Sequence, residues 1–233
     1  MSAITAKGSQ ARENANKKDR PDLKKVLLKL KDGGSHKVRL LSVEDYVEYA
    51  SAGDFNLGIY TQAISENSPL LVAKDKGGEK FKNLYKKSRY TFVFASLETG
   101  ELVALQVSKN QAKTVIGNID EYAEHIGSVA FKVTRSGEDT STVYTLNPML
   151  GMNEKEKEAF AKFDGQEVAM EFFESILEPK DDKFLAKLLK EAGFDVATHL
   201  PHIDLSDAEG TEQEDTGTED NGQLDLSDEE LPF

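Results

Sequence analysis

Residues 90–107 read YTFVFASLETGELVALQV, and this stretch decides the fold class. Alternating apolar residues stand on both sides of Glu98-Thr99-Gly100, which is typical of two β-strands joined by a hairpin turn. Ser108 and Gln111 follow at the spacing of a helix capping box, and apolar residues recur at helical intervals as far as Ile126. The stretch therefore predicts two strands and a helix that packs on their sheet.

Two further pairs of alternating runs lie on either side of this stretch, and each pair predicts a hairpin. The runs span residues 26–31, 36–41, 129–134 and 142–146. Residues 44–88 have weak periodicity and several glycines, so we expect a long insertion with short strands there. The resulting order of strand, long insertion, two strands, helix and two strands is that of an OB-fold. We therefore expect a mainly β protein with α, built on an OB-fold-like five-stranded barrel.

Composition divides the chain into four parts. The expected parts are a flexible basic arm at 1–21, the barrel domain at 22–150, a helical appendage at 151–203 and a disordered acidic tail at 204–233. The appendage is marked by Asn153 and Glu156 at capping spacing and by Gly193 after its last apolar period. The tail has too few apolar residues to form a core.

Charge is distributed very unevenly along these parts. The net charge is −13, yet residues 1–150 carry 22 Lys and Arg against 18 Asp and Glu, a balance of +4. Residues 151–203 carry 7 bases and 12 acids, and residues 204–233 carry 12 acids and no base. Nearly all of the net negative charge lies in residues 204–233. The acidic composition of the whole chain therefore does not exclude an anionic ligand for residues 1–203.

The bases of the body form two clusters. The first comprises Lys29, Lys31, Lys37 and Arg39, which the predicted first hairpin places on one face. The second mixes bases with aromatic rings in the insertion and comprises Lys74, Lys76, Lys80, Phe81, Lys82, Tyr85, Lys86, Lys87 and Arg89. Cations neutralise phosphates and exposed rings stack on bases, so both clusters indicate a single-stranded nucleic acid. Tyr90, Phe92 and Phe94 alternate on one strand, which is typical either of a core or of a stacking platform.

Several classes of function receive little support. The chain contains no cysteine, which excludes disulfides, thiolate zinc sites and cysteine nucleophiles. No run approaches the length of a membrane span, and no signal peptide is recognisable, so we expect a cytoplasmic protein that binds no membrane. His199 and His202 are the only histidine pair with short spacing, and that spacing is loose for a metal site. We expect no cofactor, no metal and no catalysis, with a metal-dependent nuclease as the enzyme alternative.

The last residues carry a specific resemblance. Asp228-Glu229-Glu230-Leu231-Pro232-Phe233 places an acidic run before a terminal Pro-Phe, which resembles the C-terminal tip of bacterial single-stranded DNA-binding proteins. The long insertion and added helices look more like the bacteriophage type of these proteins. The resemblance implies that the six tip residues dock replication and recombination proteins, such as a polymerase, helicase, primase, nuclease or recombinase.

Together these features predict a protein that binds single-stranded DNA without sequence preference during DNA replication, recombination or repair. A recombination protein that anneals complementary strands would share the same electrostatics and is the first alternative. An acidic DNA mimic would explain the net charge but not the basic insertion.

Overall fold

One seven-stranded sheet organises the protein, whose computed structural model describes residues 21–205. The strands are β1 (Ser35–Arg39), β2 (Tyr46–Asp54), β3 (Ile59–Gln62), β4 (Lys87–Ser96), β5 (Leu102–Ser108), β6 (Phe131–Ser136) and β7 (Val143–Pro148). The helices are α1 (Leu23–Val26), α2 (Pro69–Lys76), α3 (Lys109–Glu121), α4 (Glu154–Ala161), α5 (Met170–Ser175), α6 (Asp182–Glu191) and α7 (Val196–His199). A mainly β fold with added helices is therefore confirmed.

Strand β4 is the centre of the sheet because its ten residues pair with three other strands. Along one edge it meets β5, from Arg89 opposite Ser108 to Ala95 opposite Leu102. Along the other edge it pairs first with β2 and then, at Ala95 and Ser96, with β1. Every ladder is antiparallel, and the order across the sheet is β3-β2-β4-β1-β6-β7 with β5 beside β4.

The sheet is open within residues 21–205, because no ladder there joins its two outer strands, β3 and β7. The expected five-stranded barrel is thus not confirmed. The insertion is also more regular than expected, since β2 alone runs for nine residues. Its pattern was weak because Ala50, Ser51, Ala52 and Gly53 give no contrast between an apolar and a polar face.

The predicted first hairpin is wrong. Asp22 caps the short helix α1, and the Leu28 amide then donates to the Ala104 carbonyl at 2.8 Å, so this segment runs beside β5. Gly33, with φ of +70°, still allows the predicted turn. The chain that follows pairs with β4 and β6 instead of folding back on residues 26–31.

The structure confirms the helix and hairpins predicted further along the chain. They are α3, the β4–β5 hairpin and the β6–β7 hairpin. Ser108 and Gln111 form both hydrogen bonds of a capping box at the start of α3, and Asn153 and Glu156 do the same for α4. Gly193 follows α6 with φ of +86°, a conformation that glycine adopts without strain.

Three apolar clusters hold the elements together. The largest lies between one face of the sheet and α3, and it buries Phe92, Phe94 and Phe131 completely. A second joins α2, α6 and α7 to β2 and β3, and a third packs α1 and α5 on Val93 and Ala104. Each fully buried leucine or phenylalanine contributes about 1.5 to 3 kcal/mol, so the helical appendage is firmly attached to the sheet.

Candidate nucleic-acid interface

A cationic pocket opens where the start of β4 passes the start of α3. We use this name for the pocket of about 280 Å³ lined by Tyr85, Lys86, Lys87, Ser88, Arg89, Ser108, Lys109 and Asn110. The antiparallel pairing of Arg89 with Ser108 brings the two segments together, and the capping of α3 by Ser108 fixes where the helix begins. Four of the lining residues are bases and none is acidic. The pocket is therefore suited to an anion.

Its rim carries an aromatic ring beside two lysines. Tyr85 is 38% exposed, and the Lys87 ammonium lies 4.8 Å from the centre of its ring. The Lys86 ammonium lies 3.4 Å from a Glu66 carboxylate oxygen, and both side chains are more than half exposed. Water screens such a pair strongly, so Glu66 offsets little of the attraction for an anion.

One of the residues that line the pocket, Arg89, is a buried base. Arg89 is only 7% exposed, and its Nε has no hydrogen-bond partner within residues 21–205. It lies next to the hydroxyls of Tyr49 and Tyr60, and burial raises the pKa of both tyrosines. Both phenols are therefore neutral at physiological pH, so neither supplies a negative charge beside Arg89.

One further carboxylate approaches the pocket without lining it. Glu48 accepts a hydrogen bond of 2.9 Å from the Tyr90 hydroxyl. Hydrogen bonding by Ser88, then by Tyr90, lowers the pKa of Glu48, and the charges of Lys109 and Lys86 add to the effect. Glu48 therefore stays ionised, and it limits the positive potential on this side of the pocket.

The structure places the predicted site residues of β1 elsewhere. Arg39 is 7% exposed and donates to the Phe160 carbonyl at 2.5 Å and to Asp164 at 2.7 Å. The Lys37 ammonium donates to Glu156 at 2.6 Å, which raises the pKa of Lys37 and lowers that of Glu156. The acidic appendage thus covers the basic face of this strand.

The two remaining bases of that first cluster are exposed, and they do not belong to a strand. Lys29 and Lys31 occupy the irregular segment before the turn at Gly33. The expected face of four bases on one hairpin is therefore not formed.

Three of the four bases in residues 74–82 contact other groups of the protein. Lys74 pairs with Asp75 and Lys82 with Glu79, whereas Lys76 is exposed at the end of α2. The Lys80 ammonium donates to the Ala192 carbonyl near the end of α6.

Burial shows that the predicted contact of Phe81 with DNA is wrong, and it also decides the open interpretation of the aromatic stripe on β4. Phe81 is 3% exposed and packs edge-on against Phe194, so its ring is part of the core. Phe92 and Phe94 are fully buried, which decides between the two interpretations of that stripe in favour of a core. Tyr90 is partly buried against the same cluster.

Sequence reasoning missed two exposed residues. Lys109 lines the cationic pocket from the first turn of α3, and only the pairing of β4 with β5 brings it there. Phe55 is 76% exposed in the turn between β2 and β3, where the Asp54 carboxylate accepts from the Asn56 amide. An aromatic residue between Asp54 and Asn56 in a turn was the available signal for an exposed ring.

Residues 21–205 offer neither a cluster of metal-ligand side chains nor a membrane-spanning helix. Residues 21–205 contain no group of three or more His, Asp or Glu side chains placed to hold a metal ion. His199 stacks on Phe194 at 5.3 Å between ring centres. None of the described helices is both long and apolar enough to cross a bilayer.

The predicted docking tip, Asp228–Phe233, lies outside the described residues. Comparison with known proteins assigns no family either: the chain matches no protein-family model, and no curated protein is significantly similar to it.

Proposed function

We propose that this protein binds single-stranded DNA without sequence preference and acts in DNA replication, recombination or repair. The observation that carries the proposal is the cationic pocket, in which four bases converge beside the exposed ring of Tyr85. Residues 1–150 carry a charge balance of +4, and the acidic charge is concentrated in residues 204–233.

The chemistry of the pocket matches the two parts of a nucleotide that are common to all sequences. Lys86, Lys87 and Lys109 attract phosphates, and neutralising phosphates releases the counterions condensed around the strand. Tyr85 offers a ring face for a base, and such stacking contributes about 1 to 3 kcal/mol per base whatever the base is. The nucleobases of a single strand are accessible for stacking on a protein ring, whereas the nucleobases of a duplex are already paired and stacked on one another.

We further propose that the sheet is an opened relative of an OB barrel and that the C-terminal tip docks partner proteins. Two hairpins, a helix and a further hairpin follow one another along β2–β7, which supports the first point. The second rests on the resemblance of Asp228–Phe233 to the tip of bacterial single-stranded DNA-binding proteins.

A fluorescence titration tests the DNA-binding function. We expect the full-length protein to bind dT oligomers much more tightly than duplex of equal length. We also expect the affinity for dT to fall steeply as salt rises.

The double variant Lys86→Glu, Lys109→Glu should lose most of this affinity. The matched control is the double variant Lys187→Glu, Lys190→Glu, which makes the same charge change on exposed positions of α6 and should bind more tightly than the pocket variant. Equal affinity of the wild type for dT oligomers and duplex would contradict the proposal, as would equal losses in the two variants.

A further inference from the structure

Arg89 is a buried basic residue without an ion pair in the described part of the chain. It is 93% buried, since only 7% of it is exposed, yet none of the ion pairs formed among residues 21–205 includes it. Buried charges in proteins are normally paired, because removing an ion from water is costly. Its Nε also has no hydrogen-bond partner among those residues. Arg89 thus contributes to the lining of the pocket, and its charge has no carboxylate partner among those residues.

A second source of positive potential meets Arg89 in the same pocket. Helix α3 has 13 residues, and its first turn, at Lys109 and Asn110, forms part of the lining. The N-terminal end of a helix carries a partial positive charge and attracts anions. Arg89 belongs to β4 and Lys109 to α3, so the two positive groups line one pocket only because the fold brings these elements together.

We propose that the cationic pocket is a phosphate-binding site, with Arg89 as its anchor. This proposal rests on the proposed function and deepens it: the pocket takes one phosphate group of the bound strand. The shared ligand chemistry is a tetrahedral phosphate, whether it is an internal phosphodiester or a terminal phosphate monoester.

The donors in the pocket favour phosphate over other anions. A guanidinium offers several N–H groups in a planar fork and pairs well with phosphate oxygens. Lys86, Lys87 and Lys109 add ammonium donors on the solvent side, and Ser88 and Asn110 add polar donors. A volume of about 280 Å³ holds a phosphate together with part of the adjoining sugar or with water.

Two carboxylates limit the potential but do not occupy the site. Glu66 pairs with Lys86, and Glu48 is close enough to Lys109 and Lys86 for them to lower its pKa. Neither lines the pocket, and Tyr49 and Tyr60 beside Arg89 are neutral. Four bases therefore line the pocket and no acidic residue does.

The test uses full-length protein and three variants: Arg89→Gln, Lys109→Gln and the control Lys187→Gln. The probes are dT oligomers with a 5′-hydroxyl, the same oligomers with a 5′-phosphate, and inorganic phosphate followed by the shift it causes in the thermal midpoint. Loss of a charge-assisted hydrogen bond predicts about 10- to 100-fold weaker dT binding for Arg89→Gln. The exposed Lys109→Gln should lose about 2- to 5-fold, and Lys187→Gln should resemble the wild type.

Phosphate should raise the thermal midpoint of the wild type and of Lys187→Gln more than that of Arg89→Gln. A 5′-phosphate that strengthens binding only when Arg89 is present identifies the terminal monoester as the ligand, and equal binding of both oligomers identifies the internal phosphodiester. If Arg89→Gln does not fold, the exposed Lys109→Gln decides by the same comparisons.

The possible failures are distinguishable. If dT binds the wild type, Arg89→Gln and Lys109→Gln equally, the phosphate site is refuted and the proposed function stands. If dT does not bind the wild type while phosphate still gives an Arg89-dependent midpoint shift, the proposed function is refuted and the phosphate site stands.

Discussion

Replacing Arg39 with Gln tests whether this residue stabilises the fold or contacts DNA. The sequence predicts a DNA contact for Arg39, whereas the structure joins it to the appendage. Its guanidinium donates to the Phe160 carbonyl and to Asp164, and it lies 4.1 Å from the centre of the Phe160 ring. We therefore expect Arg39→Gln to reduce stability and to leave the affinity for single-stranded DNA nearly unchanged.

The size of the effect can be worked out contact by contact. The charged hydrogen bond to the Phe160 carbonyl contributes about 1.5 to 3 kcal/mol, and the cation–π contact about 0.5 to 2 kcal/mol. The Asp164 side chain is 69% exposed, so its pair with Arg39 contributes at most about 1 kcal/mol. The total is about 2 to 6 kcal/mol for Arg39→Gln and below about 1 kcal/mol for Asp164→Asn.

Urea denaturation measures these differences. With a slope of about 2 to 3 kcal/mol per molar urea, Arg39→Gln should lower the midpoint by about 0.7 to 3 M. Titration with dT oligomers, below the unfolding transition, measures affinity in parallel. An unchanged urea midpoint together with a tenfold loss of dT affinity would refute the structural role and restore the DNA contact predicted from the sequence.

Four further predictions concern the salt dependence of binding, the pH dependence of stability, the acidic tail and partner docking. Reversal to Glu of Lys80, Lys82, Lys86 and Lys87 should flatten the salt dependence of dT binding, whose logarithmic slope is roughly −3.5 to −5 if about 5 to 7 phosphates are contacted; an unchanged slope would contradict this. Burial raises the pKa of Asp45 to about 6, so its protonated form favours folding, and that contribution is lost as pH rises from about 4 to about 7. The loss should be about 1 kcal/mol once screening by solvent is allowed for, and Asp45→Asn should remove it; an identical pH profile in urea denaturation for both proteins would disprove the assignment. Truncation after Ile203 should raise dT affinity at low salt, because twelve tethered carboxylates no longer compete with DNA, and equal affinities there would exclude such competition. Deleting Phe233 should preserve dT affinity but abolish recovery of replication proteins in a pull-down from a cell lysate, and recovery of the same proteins would show that the tip does not dock them.

Local sequence signals predicted the elements that depend on their own residues. The β4–β5 hairpin, the capping box of Ser108 and the helix that follows it are confirmed, because period and capping are local properties. The first hairpin failed for the opposite reason. Residues 26–31 alternate as a strand would, but whether they pair with residues 36–41 or run beside β5 depends on contacts distant in sequence.

The sequence predicted only part of the candidate site. The residues that it identified are neighbours in sequence, and the residue that it missed is not. Tyr85, Lys86, Lys87 and Arg89 line the pocket as a short contiguous stretch, which sequence can identify. Lys109 belongs to the site only through strand pairing. Phe81 was misjudged because a ring between lysines has an exposed pattern, although the ring itself packs on Phe194.

Compensation of charge distinguishes Arg89 from the two bases of β1, Lys37 and Arg39. Lys37 and Arg39 have carboxylate partners in Glu156 and Asp164, so a polyanion could reach them only by displacing part of the appendage. Arg89 has no carboxylate partner among residues 21–205, and it lines a pocket that is open to solvent. A phosphate gains the attraction of this charge without breaking an existing ion pair. The binding energy for an anion should therefore concentrate at the start of β4, although β1 has bases of the same kind.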